Sequence, residues 1–244
     1  MILGWLPNDV STFGPDIDSV IRLIFYVVGV FFVLAEGALF SFIIFYRRRR
    51  GGRAAYIRGE TPRELAWVLV PVIVVIGFDV AIDSSAKSVW DRVKMESPPA
   101  ALTVKVEALQ FGWEFTYPGP DGKFGTADDL LQSNTLTVPA GQVISLIIGS
   151  KDVIHSFYVP ELRLKQDAVP GREIPAWFEA TTPGKYEIAC SQLCGVSHFV
   201  MKGNLHVLTP EDYQKWVSQH WPKSPAAASK SALALPTSAS RTEG

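Results

Sequence analysis

The sequence predicts an N-terminal transmembrane α-helical hairpin followed by an all-β sandwich, and three observations carry that prediction. Two long apolar stretches lie in the first third of the chain. Beyond residue 101 the pattern changes to short alternating runs separated by Pro and Gly turns. One loop, reading I-A-C-S-Q-L-C-G-V-S-H-F-V-M over residues 188–201, gathers Cys190, Cys194, His198 and Met201. A separate segment, D-V-I-H-S-F, places His155 upstream of it.

The hairpin is expected over residues 1–83. Its first helix, about 17–46, exceeds the ~20 residues needed to cross a bilayer. Arg47, Arg48, Arg49 and Arg50 follow, with Arg53 and Arg58 beyond, so the loop 47–63 is basic and is expected in the cytoplasm. The second helix, about 65–82, is just long enough to return, with Pro71 in its first half. Both termini and the β domain are then expected on the outer side of the membrane. No basic region precedes a short apolar stretch at the N-terminus, so no cleavable signal is expected.

Residues 84–101 read as a connector and 102–220 as the β domain. L-T-V-K-V-E-A-L and F-G-W-E-F-T-Y alternate as half-buried strands do, and T-L-T-V, V-I-S-L-I-I-G, H-S-F-Y-V, A-W-F-E-A, K-Y-E-I-A and N-L-H-V-L follow. The acidic, glycine-rich segment from Gly119 to Asp129 reads as a hairpin tip and lacks the ligand spacing of an EF-hand. Thr209 followed by Pro210 and two acids is a helix start. The tail 221–244, rich in Ala, Ser, Lys and Pro, reads as disordered.

With 23 basic against 24 acidic residues the net charge is −1, which carries no nucleic-acid footprint. Two cysteines in 244 residues exclude a disulfide-dense scaffold. The donor types are therefore the main clue to function. Two thiolates, two imidazoles and a thioether are soft ligands that select copper or zinc over magnesium or calcium. A single blue-copper ion needs only one Cys, and here there are two. Two thiolates can bridge two copper ions, with one imidazole each, Met201 weakly on one and the Gln192 carbonyl on the other. A structural disulfide or a closed zinc site from Cys190, Cys194, His198 and His155 leaves Met201 unexplained. His206 and His220 read as strand and surface-helix residues.

C-S-Q-L-C-G-V-S-H-F-V-M resembles the CuA loop of cytochrome c oxidase subunit II, whose pattern is Cys-x-x-x-Cys-Gly-x-x-His-x-x-Met after a D-x-x-H-S-F/W segment. The run K-Q-D-A-V-P-G-R over residues 165–172 matches the family's K-x-D-x-x-P-G-R. E-L-A-W-V-L-V-P over 64–71 is similar to its E-x-x-W-T-x-x-P. The resemblance spans roughly residues 15–218.

It implies a cupredoxin-like Greek-key domain carrying binuclear copper on His155, Cys190, Gln192, Cys194, His198 and Met201. Such a subunit accepts electrons outside the membrane from cytochrome c or a small copper protein. It passes them to haem in subunit I of a haem-copper oxidase, where haem and CuB reduce oxygen to water. Expected surroundings are the inner (plasma) membrane lipid, subunit I and further oxidase subunits. A small subunit of a membrane nitric oxide reductase would look much the same. A quinol oxidase subunit would lack the ligands, and a copper carrier has no need of two membrane helices.

The resemblance also assigns secondary roles. Asp167 and Arg172 would face subunit I. Glu64, near the mouth of a proton path, and Glu36, an acid deep in the first helix, are proton-path candidates. Where the family has Gln-Trp-x-Trp this chain has Gln110-Phe111-Gly112-Trp113, so Phe111 or Trp113 would receive electrons. Gln192 replaces the usual Glu, which puts an interface magnesium in doubt. Asp152, Glu161 and Asp167 could supply acidic docking charge.

Overall fold

The computed structural model describes residues 6–47 and 56–221, so the arginine run 48–50 and the tail from 222 lie outside the described residues. The chain divides into two compact units, residues 13–96 and residues 7–12 with 97 onward.

The first unit is the hairpin. Helix α1 runs Gly14–Phe45, with Pro15 presetting the backbone of its first turn. Helix α2 runs Pro62–Trp90 and continues through one π turn, Asp91–Met95. Thr61 and Glu64 close a capping box at its start: Glu64 N–H donates to Thr61 Oγ1 at 3.3 Å, and Thr61 N–H to a Glu64 carboxylate oxygen at 3.1 Å. The helices touch edge-to-face at Phe31 and Phe78, with ring centroids 5.6 Å apart, and Arg92 pairs with Asp16. Most of their Val, Ile, Leu and Phe side chains are exposed, which only an apolar solvent makes favourable.

The second helix is a correction to the sequence reading. It was expected over 65–82 with a connector from 84, yet helical backbone persists to Met95. Hydropathy marks the part of a helix that lipid covers, not where the helix ends. Past Ile82, Ser84 and Ser85 hydroxyls bond back to Val80 and Ala81 carbonyls at 2.6 and 2.9 Å, and Lys87 pairs with Asp91 one turn on at 2.5 Å. The ladder stops only just before Pro98 and Pro99, whose rings disfavour helix in the residue before them.

The second unit is a sandwich of two five-stranded sheets. Its strands are β1 Leu102–Leu109, β2 Gly112–Tyr117, β3 Leu130–Ser133, β4 Thr135–Pro139, β5 Val143–Ser150, β6 His155–Val159, β7 Leu164–Ala168, β8 Ile174–Glu179, β9 Gly184–Cys190 and β10 Lys202–Leu208. One sheet is ordered β3-β2-β1-β5-β8 and the other β4-β10-β9-β6-β7. β1 and β5, and β4 and β10, pair parallel; the rest are antiparallel. Repeated crossings between sheets make this a cupredoxin-like Greek-key sandwich.

Alternation does what it predicts. Val104, Val106 and Ala108 on β1, Trp113, Phe115 and Tyr117 on β2, and Ile144, Leu146 and Ile148 on β5 point inward and are buried. Tyr117 joins the two sheets, donating to Thr137 O at 3.1 Å and accepting from Thr137 N–H at 2.7 Å. The segment from Gly119 to Asp129 lies between antiparallel β2 and β3. Helix α3, Pro210–His220, starts as expected, with Asp212 N–H donating to Thr209 Oγ1.

One element was not foreseen. Residues 7–12, assigned from sequence to the hairpin, belong to the sandwich. Ser11 bridges Ala180, Val10 N–H donates to Glu161 O at 3.0 Å, Thr181 N–H to Val10 O at 2.8 Å and Thr12 N–H to Glu179 O at 3.2 Å. Arg163, at φ +56°, holds this segment by donating to Pro7 O at 2.7 Å. Nothing local in P-N-D-V-S-T announces a strand, because its partners lie some 150 residues away.

Candidate metal centre

Adjacent strands assemble the centre. His155 opens β6, Cys190 closes β9, and Met201 immediately precedes β10. Phe157 pairs with Cys190, Ser191 N–H donates to Ser156 O at 2.9 Å, and Cys190 N–H to Met201 O at 3.2 Å. The ligand loop is thus the β9–β10 connection, pinned to β6 on its other side. Its tight point is Gly195, at φ +143°, where a Cβ would meet Gln110 Nε2 at 2.8 Å and the Phe111 ring at 3.0 Å. Only glycine takes that backbone without strain.

The six residues expected to hold metal converge. The thiols of Cys190 and Cys194 are free, with Sγ atoms 3.8 Å apart, beyond the ~2.05 Å of a disulfide. His155 Nδ1 lies 3.9 Å from Cys190 Sγ, and His198 Nδ1 lies 3.5 Å from Cys194 Sγ. The Gln192 carbonyl is 3.2 Å from Cys190 Sγ. Met201 is 1% exposed, and its Sδ lies 3.1 Å from His155 Nδ1 and 3.7 Å from Cys194 Sγ. The thioether therefore faces the cluster, which a closed four-ligand zinc site has no use for. Two thiols between two imidazoles, with a thioether and a carbonyl at the flanks, fit a pair of copper ions.

Electrostatics favour the neutral thiol in the absence of metal. Burial, and then the neighbouring Cys190, push the Cys194 thiol up to about 11. Asp152 behaves oppositely. Burial would raise its carboxyl, but hydrogen bonds from His155, Gln110 and Val153 outweigh that and hold it below the usual carboxylate range. Asp152 Oδ1 accepts from His155 Nε2 at 2.8 Å. That bond keeps the ring proton on Nε2 and leaves Nδ1 free as a ligand.

The other predicted residues are dispersed. Trp113 is 1% exposed, edge-on to Phe157 at 5.4 Å and to His155 at 6.3 Å between centroids, so it cannot touch a docked donor. Phe111 is half-buried against the Gly195 turn. Asp167, paired with Ser156, and Arg172, between β7 and β8, are both exposed. Glu64 is engaged in its capping box, and Glu36 is half-buried midway along α1. Asp152 was read as docking charge; the residue is exposed, and its carboxylate is bonded to His155, Gln110 and Val153. Gln110 was missed: its Nε2 donates to Cys194 O at 2.5 Å, and its backbone N–H to Asp152 Oδ2 at 2.7 Å. The D-x-x-H spacing was the available signal for Asp152, and the Gln that opens the Gln-Phe-Gly-Trp segment was the signal for Gln110.

Fold and donor set together define a membrane-anchored cupredoxin-like protein with a cluster of soft donors that could hold a metal. Residues 102–207 match the family described as cytochrome C oxidase subunit II, periplasmic domain. Cytochrome c oxidase subunit 2 of Thermostichus vulcanus is 30% identical, the match covering 89% of this chain and 79% of that protein. Its counterpart in Synechocystis is 28% identical over 96% of this chain and 80% of that one. The crystal structure of the periplasmic domain of cytochrome oxidase subunit II from Bradyrhizobium japonicum superposes with a TM-score of 0.46 at 30% identity, covering 51% of this chain and 96% of that one. The chain belongs to the cytochrome c oxidase subunit 2 family and is thus a subunit of the haem-copper oxidase type.

Proposed function

We propose that this chain holds a binuclear copper centre and is the subunit through which a haem-copper oxidase takes in electrons from outside the membrane. The observation that carries this reading is the pair of free thiols 3.8 Å apart, flanked by His155 and His198 and approached by Met201 and the Gln192 carbonyl. Copper bound there would supply a one-electron relay with no open position for substrate.

The chain's own residues do the rest. Cys190, Cys194, His155, His198, Met201 and the Gln192 carbonyl would hold the copper, since their donor atoms already face one another. The buried sandwich beneath His155 holds the donor set in one arrangement, which keeps reorganisation small when charge changes. Leu193, Val196 and Phe199 stand exposed around the ligands and keep the rim apolar. Phe111, against Gly195, is the side chain of the Gln-Phe-Gly-Trp segment through which an electron would arrive, with Trp113 behind it. Asp167 and Arg172 would meet subunit I, which passes the electron on to oxygen reduction. Cytochrome c or a small copper protein would be the donor, on the outer side, to which the positive-inside rule would assign this domain.

Electron paramagnetic resonance on the copper-loaded full chain in detergent tests this. Hyperfine structure from two equivalent copper nuclei sharing one unpaired electron is the expected result. A single-copper spectrum, or preferential zinc binding with no signal, would overturn it.

A further inference from the structure

Asp152 lies in the turn between β5 and β6, and Gln110 in the turn between β1 and β2. The turns are joined, since Lys151 N–H donates to Ala108 O at 2.9 Å. Asp152 Oδ1 accepts from His155 Nε2 at 2.8 Å and from Val153 N–H at 2.6 Å, while Oδ2 accepts from Gln110 N–H at 2.7 Å. Gln110 then reaches onward, its Nε2 donating to Cys194 O at 2.5 Å. A continuous belt therefore runs from His155 through Asp152 and Gln110 to Cys194. It ties one imidazole ligand to one bridging thiol from outside the ligand loop.

We propose that Asp152 and Gln110 are positioning residues for the metal centre, Asp152 setting the His155 ring and the centre's reduction potential and Gln110 clamping the Cys194 turn. The inference rests on the copper reading above. Asp152 receives three N–H donors on two oxygens, a demand only a carboxylate meets. An Asn there has one acceptor oxygen, so its NH2 would confront either the His155 or the Gln110 donor. The charge matters separately. An anion bonded to a ligand imidazole favours the more positive, oxidised centre and so lowers the potential. The Gln110 side chain bonds the Cys194 carbonyl rather than a donor atom, so it should govern how firmly copper is held rather than the potential.

The test uses the full copper-loaded chain in detergent, with midpoint potentials from optical titration and copper loss timed against a chelator. Asp152→Asn should shift the midpoint upward. Gln110→Ala should leave the midpoint near that of the parent chain and release copper several-fold faster. An unchanged midpoint in Asp152→Asn, or an unchanged release rate in Gln110→Ala, overturns the corresponding role. Should Asp152→Asn fail to load, the parent chain still decides. By NMR its His155 Nε2 proton should exchange with solvent more slowly than that of His198, and equal exchange rejects the belt. If the parent chain itself binds no copper pair, the copper reading fails and this inference falls with it. If it binds the pair and only the variants disagree, the belt alone is wrong.

Discussion

At Cys194 a single side chain links burial, acidity and function. Its thiol is raised to about 11 by burial and by Cys190, so it carries a proton throughout the neutral range in the absence of metal. A thiolate is the ligand, and each proton displaced makes apparent affinity rise about tenfold per pH unit below the thiol's pKa. Copper titrations at about pH 6, 7 and 8 should therefore show steadily tighter binding, and pH-independent binding would contradict this account. Gly195 is as local. Gly195→Ala asks the loop to take φ +143° with a side chain and to push Gln110 and Phe111 aside. A strain of roughly 1–3 kcal/mol there should lower copper retention while far-ultraviolet dichroism of the sandwich stays unchanged.

Between elements, Tyr117 does what alternation cannot. It lies in one sheet and exchanges two hydrogen bonds with Thr137 in the other. Burial raises its phenol well above the ordinary tyrosine range, despite the Thr137 bond. Tyr213, on the buried face of α3, is likewise raised by burial, to about 12. For both, the folded pKa exceeds the unfolded value near 10. Their contribution is complete below about pH 10 and is lost above it, as the unfolded chain ionises first. Tyr117→Phe should destabilise the sandwich by about 1–3 kcal/mol in denaturant unfolding, because Thr137 keeps two buried polar groups with no partner. It should also flatten the alkaline decline.

The segment 7–12 gives a second comparison between elements. Arg163 occupies left-handed backbone at a cost of about 1 kcal/mol, offset by its bonds to Pro160 and Pro7 carbonyls at 2.7 Å each. Arg163→Gly removes both the strain and the bonds. Its unfolding midpoint should barely move, while amide exchange at Val10 and Thr12 accelerates.

On the scale of the whole molecule, the hairpin and the sandwich obey different solvents. The first exposes most of its large apolar side chains and the second buries most of its own. Helix α2 and its π turn together span 34 residues, about 50 Å at 1.5 Å per residue, against a hydrocarbon layer of about 30 Å. Part of the helix must therefore stand clear of the lipid. If the basic loop lies in the cytoplasm, an alkaline phosphatase fused after residue 221 should be active on the outer side. An inactive fusion would reverse the proposed orientation.

The sequence alone determined whatever depends on neighbours along the chain. Periods of two residues set the strands, apolar runs long enough for a bilayer set the two helices, and a twelve-residue span from Cys190 to Met201 set the ligand loop. Tertiary structure decided what depends on partners far away. It placed residues 7–12 on the sandwich, buried Trp113 against Phe157 and His155, carried helical backbone on to Met95 and joined the Asp152 carboxylate to His155. The physical reason is common to all four. Hydropathy and spacing report a residue's own preference for water and backbone, whereas a hydrogen bond or buried contact is settled only when a second segment arrives to supply the other half.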